Sequence, residues 1–301
     1  MGLLKVEAEK LSNNQLLAGI IKEIYDKDDL FSVLPFKAIN GKAYVYNREN
    51  TITEGAFIDP VSDAVPEGGA DFTEVVAKLR VLIGDVDVDE FLNATMSDTN
   101  DQKSIQIAQR AKGLGKKFRR TLAIGNATLN AKEFDGVEQL AVADQTILAG
   151  ANGASVTLSM LDELIDAIAD GADAIMMRSG TARAVRALLR ASGGLEPAHV
   201  MMENFGRPML THNGVPIIVN DFLANNETKG SGTNLASIYA MRLNEVDGLH
   251  GIYSGATAGV TIKELGSLET KDAERTRLKW YCGLALKSTN SLARIEGVTN
   301  S

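Results

Sequence analysis

The 301-residue chain is 45% hydrophobic and 23% charged, with a formal net charge of −8, the composition of a soluble globular protein with one elaborated domain or two small ones. The acidic balance argues against a dedicated high-affinity nucleic-acid binder but leaves room for a local basic surface, and one cysteine excludes an internal disulfide framework. No apolar stretch reaches the ~20 residues of a membrane span, and the N-terminus lacks the basic and apolar regions of a secretory signal, so neither membrane insertion nor secretion is expected.

In chain order, residues 12–28 carry Leu16, Leu17, Ile20, Ile21 and Ile24 at helical spacing, and an extended connection closed by Pro35 follows. This pattern resembles an arm more than a core. Gly41–Glu49 predicts a strand, then comes a polar, turn-rich stretch. From Thr73 a long alternation begins, with Val75, Ala77, Leu79, Val81 and Ile83 on one face and Glu74, Lys78 and Arg80 on the other. After Gly84 the apolar parity passes to Val86 and Val88, with Asp85, Asp87 and Asp89 opposite, which predicts a bulge or sharp twist at the glycine. The second strand of this hairpin, some twenty residues at roughly 3.3 Å each, would reach about 65 Å. A bare two-stranded ribbon is marginal in water, so a neighbouring subunit is its expected support.

Ser97–Asn126 predicts a long helix, since Ile107, Ala111, Leu114, Phe118 and Leu122 recur at spacings of three and four. Gly113 and Gly115 are its expected points of kinking or close approach. Its run of Lys112, Lys116, Lys117, Arg119 and Arg120 is either a solvated face or a place for non-specific phosphate contact. Ser159 and Asp162 look like a capping box opening a second helix that closes at Gly171. Then "DAIMMRS", "TARAVRALLRAS" and "AHVMMEN" give strand, helix and strand, an α/β alternation. Four more strands are expected in "GVPIIVNDF", "ASIYAMRL", "GLHGIYS" and "AGVTIKEL", with "LANNETKGSGTN" as a disordered or variable loop. Near the end, Leu278, Trp280, Cys282, Leu284 and Leu286 share one parity of a strand, so Cys282 is expected to be a buried structural thiol.

Candidate chemistry is sparse. His199, His212 and His250 stand apart, without partners at metal-ligand spacing. The aspartate ladder begins like a calcium loop, but Glu90 and Met96 occupy the positions that require Gly and Glu. A solvated acidic face is expected there, with weak divalent binding or a cross-subunit ion pair as the alternative. Ser179, Gly180 and Thr181 form a strand-to-helix turn whose amides suit an anion, yet the phosphate-loop lysine is missing and an ordinary N-cap is expected. Arg183, Arg186 and Arg190 make a basic stripe on the following helix. The expectation is a protein without cofactor, metal or catalytic site.

The order of these parts, and the segment "GSLETKDAERTRLKWYCGLALKSTNSLARIEGV" in particular, resembles the major capsid proteins of tailed bacteriophages, the Hong Kong 97 fold. That resemblance implies an α+β chain divided into an N-terminal arm (1–38), the extended E-loop hairpin with P-domain strands (39–92), a P-domain with a long spine helix (93–155), an α/β A-domain (156–265) and a C-terminal P-domain strand and tail (266–301). It further implies self-assembly through pentamers and hexamers into an icosahedral virion shell around double-stranded DNA, formed in the host bacterial cytoplasm. The implied partners are a scaffolding protein or segment, a portal and a decoration protein. By the same resemblance Glu54, Phe57, Ile58, Asp59, Val61, Val65 and Glu67 of the E-loop would meet an adjacent subunit, and the basic run on the spine helix would face packaged genome. Some members of the fold cross-link an E-loop lysine to an asparagine of another subunit; residues 51–71 contain no lysine, so a non-covalent shell is expected at that position. Two rivals stand beside this reading: an encapsulin-type compartment of the same fold, and a soluble α/β enzyme using the Ser179–Thr181 turn.

Overall fold

The computed structural model describes residues 30, 33–51, 57–58, 67–69, 71–90, 102–191, 199–201, 208–255 and 258–300. The amphipathic segment 12–28 and the E-loop positions Glu54, Asp59, Val61 and Val65 lie outside the described residues.

The long alternating segment is two strands. After β1 (Phe36–Ala38), β2 (Ala43–Thr51) and β3 (Asp71–Lys78) pair antiparallel as a two-stranded ribbon, from Ala43↔Lys78 to Thr51↔Asp71. β4 (Arg80–Asp89) leaves the ribbon to pair with β14 (Lys271–Leu286), in unbroken register from Arg80↔Cys282 to Asp89↔Ala273. The parity change therefore sits at Leu79, where the chain exchanges one partner strand for another, and not at Gly84. In β3 the odd residues Val75 and Ala77 turn inward, whereas in β4 the even residues Gly84, Val86 and Val88 are buried. Val81 and Ile83, expected inside, are 58% and 47% exposed. Leu79 is held at the junction by its N–H donating to the Lys42 carbonyl at 3.0 Å. Gly84 serves a different purpose: a Cβ there would collide with the guanidinium of Arg110, so the glycine allows close approach of the helix above it.

That helix, Gln102–Ile124, spans 23 residues, about 35 Å. The predicted start at Ser97 falls among residues 91–101, which lie outside the described ones. The five predicted inward residues are all buried. Phe118 stacks on Trp280 with ring centroids 4.5 Å apart, and Phe36 closes the cluster at 5.9 Å from Trp280. The helix continues through Gly113, where a Cβ would meet open space.

Beneath it the first sheet runs β1, β12 (Leu249–Tyr253), β14, β13 (Thr261–Leu268), with β4 on β14. The second runs β5 (Thr146–Leu148), β15 (Leu292–Thr299), β11 (Gly232–Met241), β6 (Ala174–Met177), β9 (Val215–Val219), β8 (Pro208–His212), β7 (His199–Met201), with β10 (Glu227–Lys229) on β11. Helices Leu158–Asp166 and Ser179–Ala191 cover one face of this sheet through Leu161, Leu164, Val185, Ile238 and Ala240. The alternate residues Tyr239 and Met241 join the core that holds Trp280 and Phe118. Period-two alternation in β11 thus places the second sheet between two apolar cores.

Two local expectations need correction. The second helix is capped by Thr157, whose Oγ1 accepts from the Met160 N–H at 3.2 Å, rather than by Ser159. The "LANNETKGSGTN" segment is no featureless loop: it contains β10, which folds back on β11, and Asn152 Oδ1 accepts from Ser231 N–H to hold the turn. Segments 93–155 and 266–301 each serve both sheets, because β5 and β15 pair together in the second while the long helix and β14 belong with the first.

Candidate assembly and nucleic-acid surfaces

The ribbon of β2 and β3 is fastened to the body by one face. Alternation puts Tyr44, Tyr46 and Arg48 on that face. Tyr46 Oη donates to the Leu286 carbonyl at 2.6 Å, and Arg48 donates to the carbonyls of Leu286 and Lys287, both at 2.8 Å. Tyr44 Oη accepts from Lys37 Nζ at 3.1 Å, and the Lys37 and Lys287 ammonium groups lie 4.9 and 5.8 Å from the ring centroid. Burial opposes ionisation of Tyr44, but the two lysines hold its pKa below the ordinary phenol value. The ring of His250, fully buried, meets Tyr44 edge-on at 5.9 Å, and burial pushes its pKa down. The opposite face of the ribbon exposes Val45, Phe72 and Val76. Of the E-loop positions, Phe57, Ile58 and Glu67 are described and all three are exposed, Phe57 completely.

The acidic ladder is paired within the chain. Arg277 grips Asp85 through two hydrogen bonds of 2.8 Å, and Arg275 grips Asp87 at 2.6 and 2.7 Å, each arginine directly opposite its aspartate across β4 and β14. The hydrogen bond from Arg277 draws the Asp85 pKa below the usual carboxylate range, and Arg275 does the same to Asp87. This corrects the expectation of a merely solvated face. The signal was present in the sequence as two ladders of spacing two, but their register was not.

The basic run divides. Lys112, Lys116 and Arg120 recur every four residues and are exposed together on one side of the long helix. Lys117 instead pairs with Glu133 at 2.5 Å, and Arg119 is half-buried with its guanidinium 5.8 Å from the centre of the Phe222 ring. The structure thus exposes three of the five predicted cations together on one surface, while Lys117 pairs with Glu133 and Arg119 lies against Phe222.

The remaining candidates resolve as structural groups. At the start of helix Ser179–Ala191, Asp221 Oδ1 accepts from the Ser179 N–H at 2.9 Å, while Arg178 donates to the Asp221 carbonyl at 2.8 Å. The turn suited to an anion already holds a carboxylate of its own chain. Burial works against the charge of Asp221, but hydrogen bonds from Ser179 keep its pKa below the usual value. Arg183, Arg186 and Arg190 are exposed, and Arg186 and Arg190 bond carbonyls of their own helix. His212 Nε2 lies 2.8 Å from Asp162 Oδ1, which also accepts from Asn213, tying the second helix to the β8–β9 turn. Cys282 is buried, and burial pushes its thiol up to about 12. Among the described residues there is no group of three His, Cys, Asp or Glu placed to hold a metal ion, and no helix is long and apolar enough to cross a membrane.

No protein-family profile matches the chain, and no curated protein sequence matches it. Solved structures do. The holo-SrpI encapsulin complex from Synechococcus elongatus PCC 7942 superposes with a TM-score of 0.71 at 19% identity, covering 100% of this chain and 98% of that one. The capsid of an empty GTA particle gives 0.65 at 12% identity and 90% of each chain. The Microbacterium phage Oxtober96 structure gives 0.63, also at 12% identity and 90% of each. At such identities the likeness is one of architecture: the chain has the α+β Hong Kong 97-type capsid fold.

Proposed function

We propose that this chain is a major capsid protein, a structural rather than catalytic subunit that assembles through pentamers and hexamers into an icosahedral shell around double-stranded DNA. The fold, shared with capsid and encapsulin subunits, supports self-assembly. So does a ribbon fastened by one face through Tyr46 and Arg48, with Val45, Phe72 and Val76 exposed on the other, together with a fully exposed Phe57. Such groups favour burial against another copy. The observation that carries the DNA-filled reading is the face of Lys112, Lys116 and Arg120, a concentrated cationic surface in a chain of net charge −8. Cations so placed neutralise phosphates by counterion release and read no sequence. Scaffold, portal and decoration partners, and assembly in a bacterial host cytoplasm, belong to this reading.

One observation favours a second reading. A match that spans this chain end to end is to an encapsulin complex, and a compartment of that kind would enclose protein cargo. The contents of purified particles separate the two. Nuclease treatment followed by extraction is expected to release protected DNA of uniform length; particles free of nucleic acid that co-purify with one stoichiometric protein would establish the compartment instead.

A further inference from the structure

A cavity of about 440 Å³ opens where the long helix passes over β4, closed on its third side by the 130–134 segment. That volume lies in the size range of small-molecule sites. Its apolar walls come from two sources: Leu114, Phe118 and Phe134 belong to the core, while Val81 and Ile83 are the side chains that β4 turns outward. Four cations line the same space, Arg80, Arg110, Lys117 and Lys132, against Glu133 as the one carboxylate in the lining. Glu133 is already engaged, its carboxylate by Lys117 and its carbonyl by the Arg80 Nε–H. Arg110 and Lys132 are exposed and have no carboxylate partner among the described residues.

Two glycines shape this space. Gly84 lacks the Cβ that would strike the Arg110 guanidinium, so that side chain lies close over β4 at the cavity's edge. Gly113 sits within the long helix, where glycine is the poorest helix former after proline. A Cβ at 113 would have no atom within 4 Å, so close packing does not call for the glycine; what the missing side chain leaves open is the cavity that Gly113 lines. We infer that this cavity is a binding site for a small amphipathic anion, an aliphatic carboxylate whose chain lies against Val81, Ile83 and Phe118 and whose head group meets Arg110 and Lys132 at the rim. Each half of the site selects one half of such a ligand: the apolar walls gain by shedding water, and a guanidinium takes a carboxylate through two parallel hydrogen bonds. Nucleic acid would satisfy the rim alone, since its phosphates gain nothing from the apolar walls. Helix and sheet each supply a wall, so the bound ligand braces one against the other and stabilises the folded chain by mass action. The inference is independent of what a shell would enclose.

Decanoate is the probe, titrated into the purified full-length chain below its micellar concentration. Trp280 lies 4.5 Å from Phe118, so its fluorescence follows occupation of the cavity while calorimetry counts the sites. Saturable binding of one decanoate per chain is expected, with a melting temperature that climbs with ligand concentration. Decanol and acetate, each lacking one half of the ligand, are expected to bind at least about ten-fold more weakly, and Arg110→Gln is expected to weaken decanoate by a similar factor. Gly113→Leu fills the cavity from the helix side. Its melting temperature without ligand is expected to hold or rise, because leucine is the better helix former, while decanoate binding is lost. Absence of saturable binding, decanol binding as tightly as decanoate, or undiminished binding in both variants overturns the inference. Displacement of decanoate by inorganic phosphate at equal concentration makes the cavity a plain anion site and overturns it as well. Should Gly113→Leu fail to fold, the Arg110→Gln comparison decides the matter on its own.

Discussion

Replacing Phe118 by Ala tests whether the long helix is locked to the first sheet through its aromatic cluster. Phe118 is 2% exposed, and its ring lies 4.5 Å from Trp280, 5.9 Å from Phe134 and 6.4 Å from Phe36. A buried Phe→Ala change costs about 3–5 kcal/mol, and losing three aromatic neighbours places this site toward the upper end. Against a total stability of about 5–15 kcal/mol, that is a third or more of the whole. Trp280 is the chain's only tryptophan and is itself buried, so it reports on the perturbation directly. Urea unfolding of the unassembled subunit, followed by its fluorescence, is expected to show a midpoint lowered accordingly and a native emission shifted to the red. A loss below ~1 kcal/mol with unchanged emission would refute the packing of helix on sheet described above.

Deleting residues 51–69 is expected to leave a soluble subunit with native circular dichroism but no shells in the electron microscope, because the described residues of that segment are exposed; global unfolding would show that the segment belongs to its own core. The triple variant K112Q/K116Q/R120Q is expected to assemble yet retain less DNA, with the log–log salt slope of DNA binding reduced by up to about 2.7 for three lost phosphate contacts; an unchanged slope would make this face merely solvated. His250 gives a pH dependence whose sign is fixed by its lowered pKa: its contribution is complete above the unfolded value of about 6.5 and is lost as pH falls from there toward the folded value. Thermal melts between pH 7 and pH 5 are expected to fall in the wild type and to lose that component in His250→Phe. Asp85 and Asp87, with lowered pKa values, act only in the more acidic window, where their stabilisation disappears as pH falls through their folded pKa values.

The long helix was legible because a 3.6-residue period in Ile107, Ala111, Leu114, Phe118 and Leu122 has one physical reading, and Leu278 to Leu286 were legible for the equivalent reason at period two. The hairpin was legible in outline and mistaken in detail. A period-two pattern shows that one face is buried but does not identify the partner strand, so the exchange from β2 to β14 at Leu79 looked like a twist at Gly84. Identical logic explains the ion ladder: Asp85 and Asp87 lie 192 and 188 residues from Arg277 and Arg275 in the chain, and only sheet register joins them. The basic run showed charge but not direction, because the fates of Lys117 and Arg119 depend on Glu133 and Phe222, supplied by other segments. The anchoring face of Tyr44, Tyr46 and Arg48 was present as an alternation but had no visible target until the carbonyls of Leu286 and Lys287 were placed beneath it.

Electron microscopy of the purified protein under assembly conditions tests the central claim most directly. Closed icosahedral shells built of pentamers and hexamers, with the ribbon of each subunit resting on a neighbour, are the predicted result. A monomer, a dimer or another small fixed oligomer under every condition tried would contradict the account.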